Sequence, residues 1–130
     1  MIAVILASGR LERLYTGLSL LVSAAAEGRP ARGLVTFGAL PVLLDDAIAA
    51  RALRPEETPG LSEAGRPVFA RTLAALLDTA AELEDCRLWA CAAAVETTSA
   101  DRAAVDARFD GVLSVPRFLT EVAGAQLVAL

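Results

Sequence analysis

The chain has 130 residues and a mass of 13.5 kDa, the length of one domain and enough to bury a core. Hydrophobic residues make up 55% and charged residues 22%, which excludes a disordered chain, a collagen-like chain or a solvated tail. The net charge is −4, and all twelve basic residues are arginine; with no histidine or lysine, a histidine-containing triad, the usual zinc sites and a basic footprint for nucleic acid or an anionic membrane are excluded within this chain.

Ile2 to Ala7 is a continuous apolar run that ends at Ser8–Gly9, the pattern of a strand buried on both faces. From Arg10 the period changes. Leu11, Leu14, Tyr15, Leu18, Leu21, Val22 and Ala25 fall at helical spacing, and Gly28 and Pro30 end the run. Leu34 to Phe37 reads as a second strand closed by Gly38. A helix is expected from Pro41 to Leu53, with proline tolerated in its first turn. Arg54 to Arg66 (RPEETPGLSEAGR) holds two prolines, two glycines and three glutamates, and reads as a loop.

Pro67 opens the next helix, with Phe69, Leu73, Leu76, Leu77, Ala80 and Leu83 as its apolar stripe. Arg87 to Cys91 is a third strand, and Ala92 to Thr98 reads as one or two helical turns. Ser99 is placed to cap another short helix ending near Phe109. Gly111 to Val115 is a fourth strand, Pro116 starts a short helix that ends at Gly124, and Ala125 to Leu130 is a fifth strand. Strands alternating with helices predict a single α/β domain over residues 1–130, a three-layer α/β/α sandwich with five mostly parallel strands.

No charge-free run exceeds Leu14 to Ala26, short of the ~18–20 apolar residues of a membrane-spanning helix. The opening MIAVILASG has no basic region ahead of its apolar run, so no signal peptide is read and a reducing cytoplasm is expected. Cys86 and Cys91 lie five apart. At ~3.3 Å per residue one strand would hold them ~16 Å apart, on opposite faces and beyond the ~7 Å reach of a disulfide.

Ligands of open parallel sheets collect outside the carboxyl ends of the strands. The residues expected there are Ser8, Gly9 and Arg10, then Gly38 and Ala39, then Cys91 with Ala92, then Pro116 and Arg117. Cys91 is the one good nucleophile among them. At the start of a helix its thiolate, or a persulfide anion, would meet free backbone N–H groups, and Ala92, Ala93 and Ala94 would leave room for a partner's sulfur. The competing reading is a buried cysteine acting as a small hydrophobe, which is also how Cys86 reads. Arg10 and Arg13 are expected to pair with Glu12 and other surface acids rather than steer an anion. The adjacent pairs Asp45–Asp46 and Glu56–Glu57 do not face one another on a helix, so neither is a carboxylate dyad. No GxGxxG and no GxxxxGK[ST] is present, and no metal site is expected.

The fragment LWACAAAVETT, Leu88 to Thr98, resembles the cysteine motif of the DsrE/DsrF-like (DsrEFH) sulfur-relay family. The opening VILASGRLERLYTGLSLLVSAAAEG with LVTFGALPVLL, and the tail FDGVLSVPRFLTEVAGAQLVAL, are similar to the same family. The resemblance covers most of the chain and is least characteristic at Arg54 to Arg66. It implies that Cys91 accepts sulfur as a persulfide and passes it to a partner protein, without cofactor or metal. Donor and acceptor proteins and a homotrimer or homohexamer follow from it as expectations, while the charge and the short apolar runs lead us to expect no direct contact with nucleic acid or membrane. Ser8, Gly9, Arg10, Gly38 and Ala92 would line the substrate side. The alternative is a non-catalytic oligomeric subunit or scaffold of the same fold, which the high apolar fraction also suits. A small-ligand or nucleotide-binding protein has no motif behind it.

Overall fold

The computed structural model describes all 130 residues, Met1–Leu130. Five strands form its sheet: β1 (Ile2–Leu6), β2 (Ala31–Val35), β3 (Cys86–Cys91), β4 (Val112–Leu113) and β5 (Gln126–Ala129). Their order across the sheet is β4-β3-β2-β1-β5, and every neighbouring pair is parallel. The helices are α1 (Leu11–Ala26), α2 (Ala39–Leu43), α3 (Ile48–Ala52), α4 (Gly65–Glu82), α5 (Ala92–Thr97), α6 (Arg102–Arg108) and α7 (Val115–Glu121). The α/β/α sandwich expected from the sequence is thus present, with the sheet parallel throughout.

The connections explain the layers. From β1 to β4 each strand steps one place in the same direction, and right-handed crossovers then put their helices on one face. Side-chain contacts agree: Leu21 of α1 lies beside Gly33 and Leu88 of the sheet, and Ala107 of α6 lies with Leu77 of α4 around the same Leu88. The return from β4 to β5 runs the opposite way, and α7 lies on the other face. There Phe118 meets Trp89, the strand neighbour of Leu88, edge to face at a centroid distance of 6.1 Å.

Local chemistry sets the helix ends. Leu11, Leu14, Leu18 and Leu21 give α1 a fully buried stripe. It stops at Ala26 because Gly28 takes a positive φ of 77°, and the N–H groups of Gly28 and Arg29 return to the carbonyls of Ala25 and Ala24. Ser114 caps α7 by accepting from the Arg117 N–H at 3.3 Å, ahead of Pro116 in the first turn.

Several expected boundaries move. β2 begins at Ala31, not Leu34, because Arg32 can lie along the sheet with Nη1 donating to the carbonyls of Ala31 and Asp85, at 3.0 and 2.7 Å. The single helix expected over 41–53 is two short ones. Between them the Asp45 carboxylate takes the Ala47 N–H at 2.9 Å, a local bond that competes with continuing the helix. Asp101, not Ser99, caps α6. Helix α4 begins two residues before Pro67, where Ser62 Oγ accepts from the Gly65 N–H at 3.0 Å. β4 shortens to two residues, and Cys86 joins β3.

The candidate site at the carboxyl edge of the sheet

The residues expected at the carboxyl ends of the strands separate into two places. Ser8, Gly9, Arg10 and Gly38 form the first, beyond β1 and β2. Ser8 Oγ accepts from the Arg10 N–H at 3.2 Å. The two chain turns touch backbone to backbone. A Cβ on Gly9 would fall 2.6 Å from the Gly38 carbonyl oxygen, and one on Gly38 would fall 2.9 Å from that of Ala7. Only glycine permits this approach.

The 54–66 segment faces this rim and leaves a cleft of about 690 Å³ lined by Gly9, Arg10, Gly38, Arg51, Glu56 and Glu57. Buried Arg66 ties the segment down. Its Nε donates to Thr58 Oγ1 at 2.8 Å, and its Nη2 donates to the carbonyls of Thr58 and Leu61 at 3.1 and 2.8 Å. Arg51 holds the segment's acidic side through Glu57 at 3.0 Å. Arg10 and Arg13 form no ion pair, contrary to the expectation that Glu12 and other surface acids take them; Glu57, which lines the cleft with Arg10, is held by Arg51.

Cys91 and Ala92 form the second place. β3 is the direct neighbour of β2 and lies two strands, ~10 Å, from β1, and Cys91 is not among the residues lining the first cleft. Cys91 is the last residue of β3 and the N-cap of α5, still extended at φ −70° and ψ 127°. Beside it in register lies Leu113, the last residue of β4. After Cys91 the chain leaves toward the face of α4 and α6; after Leu113 it leaves toward the face of α7. Neighbouring strands whose connections part to opposite faces make a topological switch point, where open parallel sheets form their ligand crevice. This sheet has its switch point at the ends of β3 and β4.

The thiol itself is covered. Cys91 is 1% exposed and belongs to the main core, while Ala92, Leu113 and Ser114 around it are half-buried. Strand alternation puts Cys91 on the Trp89 side of the sheet and Cys86 on the Leu88 side, so the two thiols look to opposite layers. Burial pushes the Cys86 thiol from its ordinary 9.0 up to about 11; the Asp110 carboxylate adds to the rise, and Arg32 opposes it. Cys86 is therefore a protonated, apolar-like core residue. No three histidine, cysteine or acidic residues gather to hold a metal ion, and no helix is long and apolar enough to cross a membrane.

Two features escaped sequence reasoning. Leu113 and Ser114 border Cys91 only because β4 pairs with β3, although Ser-Val-Pro is a legible helix-start signal. Phe37, just past β2, holds a positive φ of 34° and is 51% exposed. Such a conformation costs a bulky residue ~1–3 kcal/mol, and no local signal marks it. No protein-family model and no curated protein matches this sequence.

Proposed function

We propose that the protein is a sulfur-relay subunit of the cytoplasm, working in an oligomer and carrying sulfane sulfur on Cys91 between a donor and an acceptor protein. The observation that carries the reading is the position of Cys91 at the β3–β4 switch point, where open parallel sheets form their ligand crevice. The chemistry needs no cofactor. The Cys91 thiolate attacks the outer sulfur of a donor persulfide, R–S–SH. A new S–S bond forms on Cys91, the donor S–S bond breaks, and the donor leaves as R–S⁻. An acceptor thiolate then attacks the outer sulfur of Cys91–S–SH, takes it, and restores the Cys91 thiolate. No net oxidation occurs in either step.

At 1% exposure the sulfur reacts only when the packing over it opens, so transfer is gated by a local opening or by docking of the partner. Mass spectrometry after incubation with a persulfide donor tests the reading. Wild-type protein and Cys86→Ser should gain ~32 Da per sulfur on the Cys91 peptide, and Cys91→Ser should gain nothing. A Cys91 that takes no sulfur from any of several protein and low-molecular-weight donors refutes it. The same burial favours a second reading, a scaffold subunit whose Cys91 merely fills the core. That reading predicts that Cys91→Ala leaves sulfur transfer by the complete assembly unchanged.

A further inference from the structure

The two edges of the sheet are built differently. β4 is only two residues long, and the chain before it carries Asp110, whose carboxylate takes the Leu88 N–H at 2.7 Å and lies 3.7 Å from Arg87. Short strands and edge charges are the usual protection of a sheet edge against pairing with other chains. β5 has neither device. From Ala123 to Leu130 the sequence AGAQLVAL contains no charged side chain and no proline.

The backbone of β5 is also directed for pairing. The Gln126 N–H goes to the Met1 carbonyl and the Leu130 N–H to the Ile5 carbonyl, while the Leu130 carbonyl accepts from Ala7. Even-numbered residues of β5 therefore face β1, and alternation turns the N–H and C=O groups of Leu127 and Ala129 to the open edge. Leu127 is 51% exposed, and Ala129 is exposed.

We propose that β5 pairs antiparallel with β5 of a second copy, joining two sheets into one of ten strands. A two-fold axis through Val128 sets Leu127 opposite the partner's Ala129 and Ala129 opposite the partner's Leu127. Each pair exchanges two backbone hydrogen bonds, so all four outward donors and all four outward acceptors of the two copies are used. The occupant is a copy of this chain because the register is self-complementary. Charge favours the same surface: with a net charge of −4 two copies repel, and the β5 edge, which bears no charged side chain, is where they meet without opposing side-chain carboxylates. Contact of Leu127 with the partner's Ala129 removes apolar surface from water on the same side.

Sedimentation equilibrium and site-directed crosslinking test the pairing. Wild-type protein should sediment at twice 13.5 kDa or an even multiple of it. Leu127→Lys changes an exposed side chain and should raise the dissociation constant of the two-fold contact at least about tenfold, while Trp89 fluorescence and the circular dichroism of the subunit stay unchanged. Val128→Cys places one thiol of each copy at the axis, with Cα atoms ~4.5 Å apart, within disulfide reach; copper–phenanthroline with dioxygen as oxidant should convert it to a covalent dimer. Leu127→Cys lies on the diagonal, ~7–8 Å from its symmetry mate, and should crosslink at least about tenfold more slowly. A wild type that stays a monomer at about 100 µM protein, an odd-numbered assembly, or a dimer that Leu127→Lys leaves intact overturns the proposal. So does equal crosslinking at positions 127 and 128.

Discussion

Replacing Cys86 with alanine should change how the protein responds to alkali more than how stable it is at neutral pH. The thiol is 4% exposed at the start of β3, and its pKa is raised from 9.0 to about 11, by burial first and Asp110 second. Below pH 9 the thiol is protonated in both folded and unfolded chains and contributes no pH dependence. Between pH 9 and 11 the unfolded chain loses the proton while the folded chain keeps it, so stability falls as pH rises through this window. A rise from 9.0 to about 11 corresponds to about 2 to 3 kcal/mol above pH 11, and about 2 kcal/mol is already lost at pH 10.5. Cys86→Ala removes this pH dependence and leaves a small void worth ~1 kcal/mol at pH 8. Urea unfolding at fixed protein concentration, for both proteins at pH 8 and pH 10.5, isolates the effect, because the two differ only at residue 86. The wild type should begin ~1 kcal/mol more stable and end ~1 kcal/mol less stable than the variant. A stability gap that stays the same at the two pH values refutes the idea that burial and Asp110 hold the proton on Cys86.

Two further substitutions probe the first cleft. Gly9→Ala drives a methyl group to 2.6 Å from the Gly38 carbonyl oxygen, a backbone atom that cannot rotate away. It should cost ~1–3 kcal/mol and lower Tm by several degrees in calorimetry; an unchanged Tm would mean that the two turns are not rigidly in contact. Thr58→Val strips the acceptor from buried Arg66 Nε and should cost ~1–3 kcal/mol while exposing the 54–66 segment to limited proteolysis. Cleavage there no faster than in the wild type counts against Arg66 as its anchor.

Much of the architecture was legible because its signals are local. Ile2–Leu6 and Leu88–Cys91 are apolar runs, α1 and α4 have helical stripes, and Gly28 and Pro116 punctuate the chain where they do in three dimensions. The errors fell where a distant or competing partner decides. β2 starts three residues ahead of the apolar run at Leu34, with Arg32 inside it satisfied by the carbonyls of Ala31 and Asp85. Asp45 broke a helix whose apolar pattern ran on past it. Phe37 took a left-handed backbone that nothing in its neighbours demands.

The order of apolar runs and helical stripes determined, by itself, an alternation of strand and helix that closes only as a parallel sheet with both faces covered. It also determined that Cys91 stands where a strand yields to a helix. Strand order was decided only in three dimensions, because parallel neighbours are joined by crossovers and their hydrogen bonds link residues far apart in sequence. That order makes Leu113 the neighbour of Cys91, parts the candidate residues into one place beyond β1 and β2 and another beyond β3, and leaves β5 with an open edge. The exposure of one sulfur, too, depends on every layer packed over it, and no window of sequence contains them all.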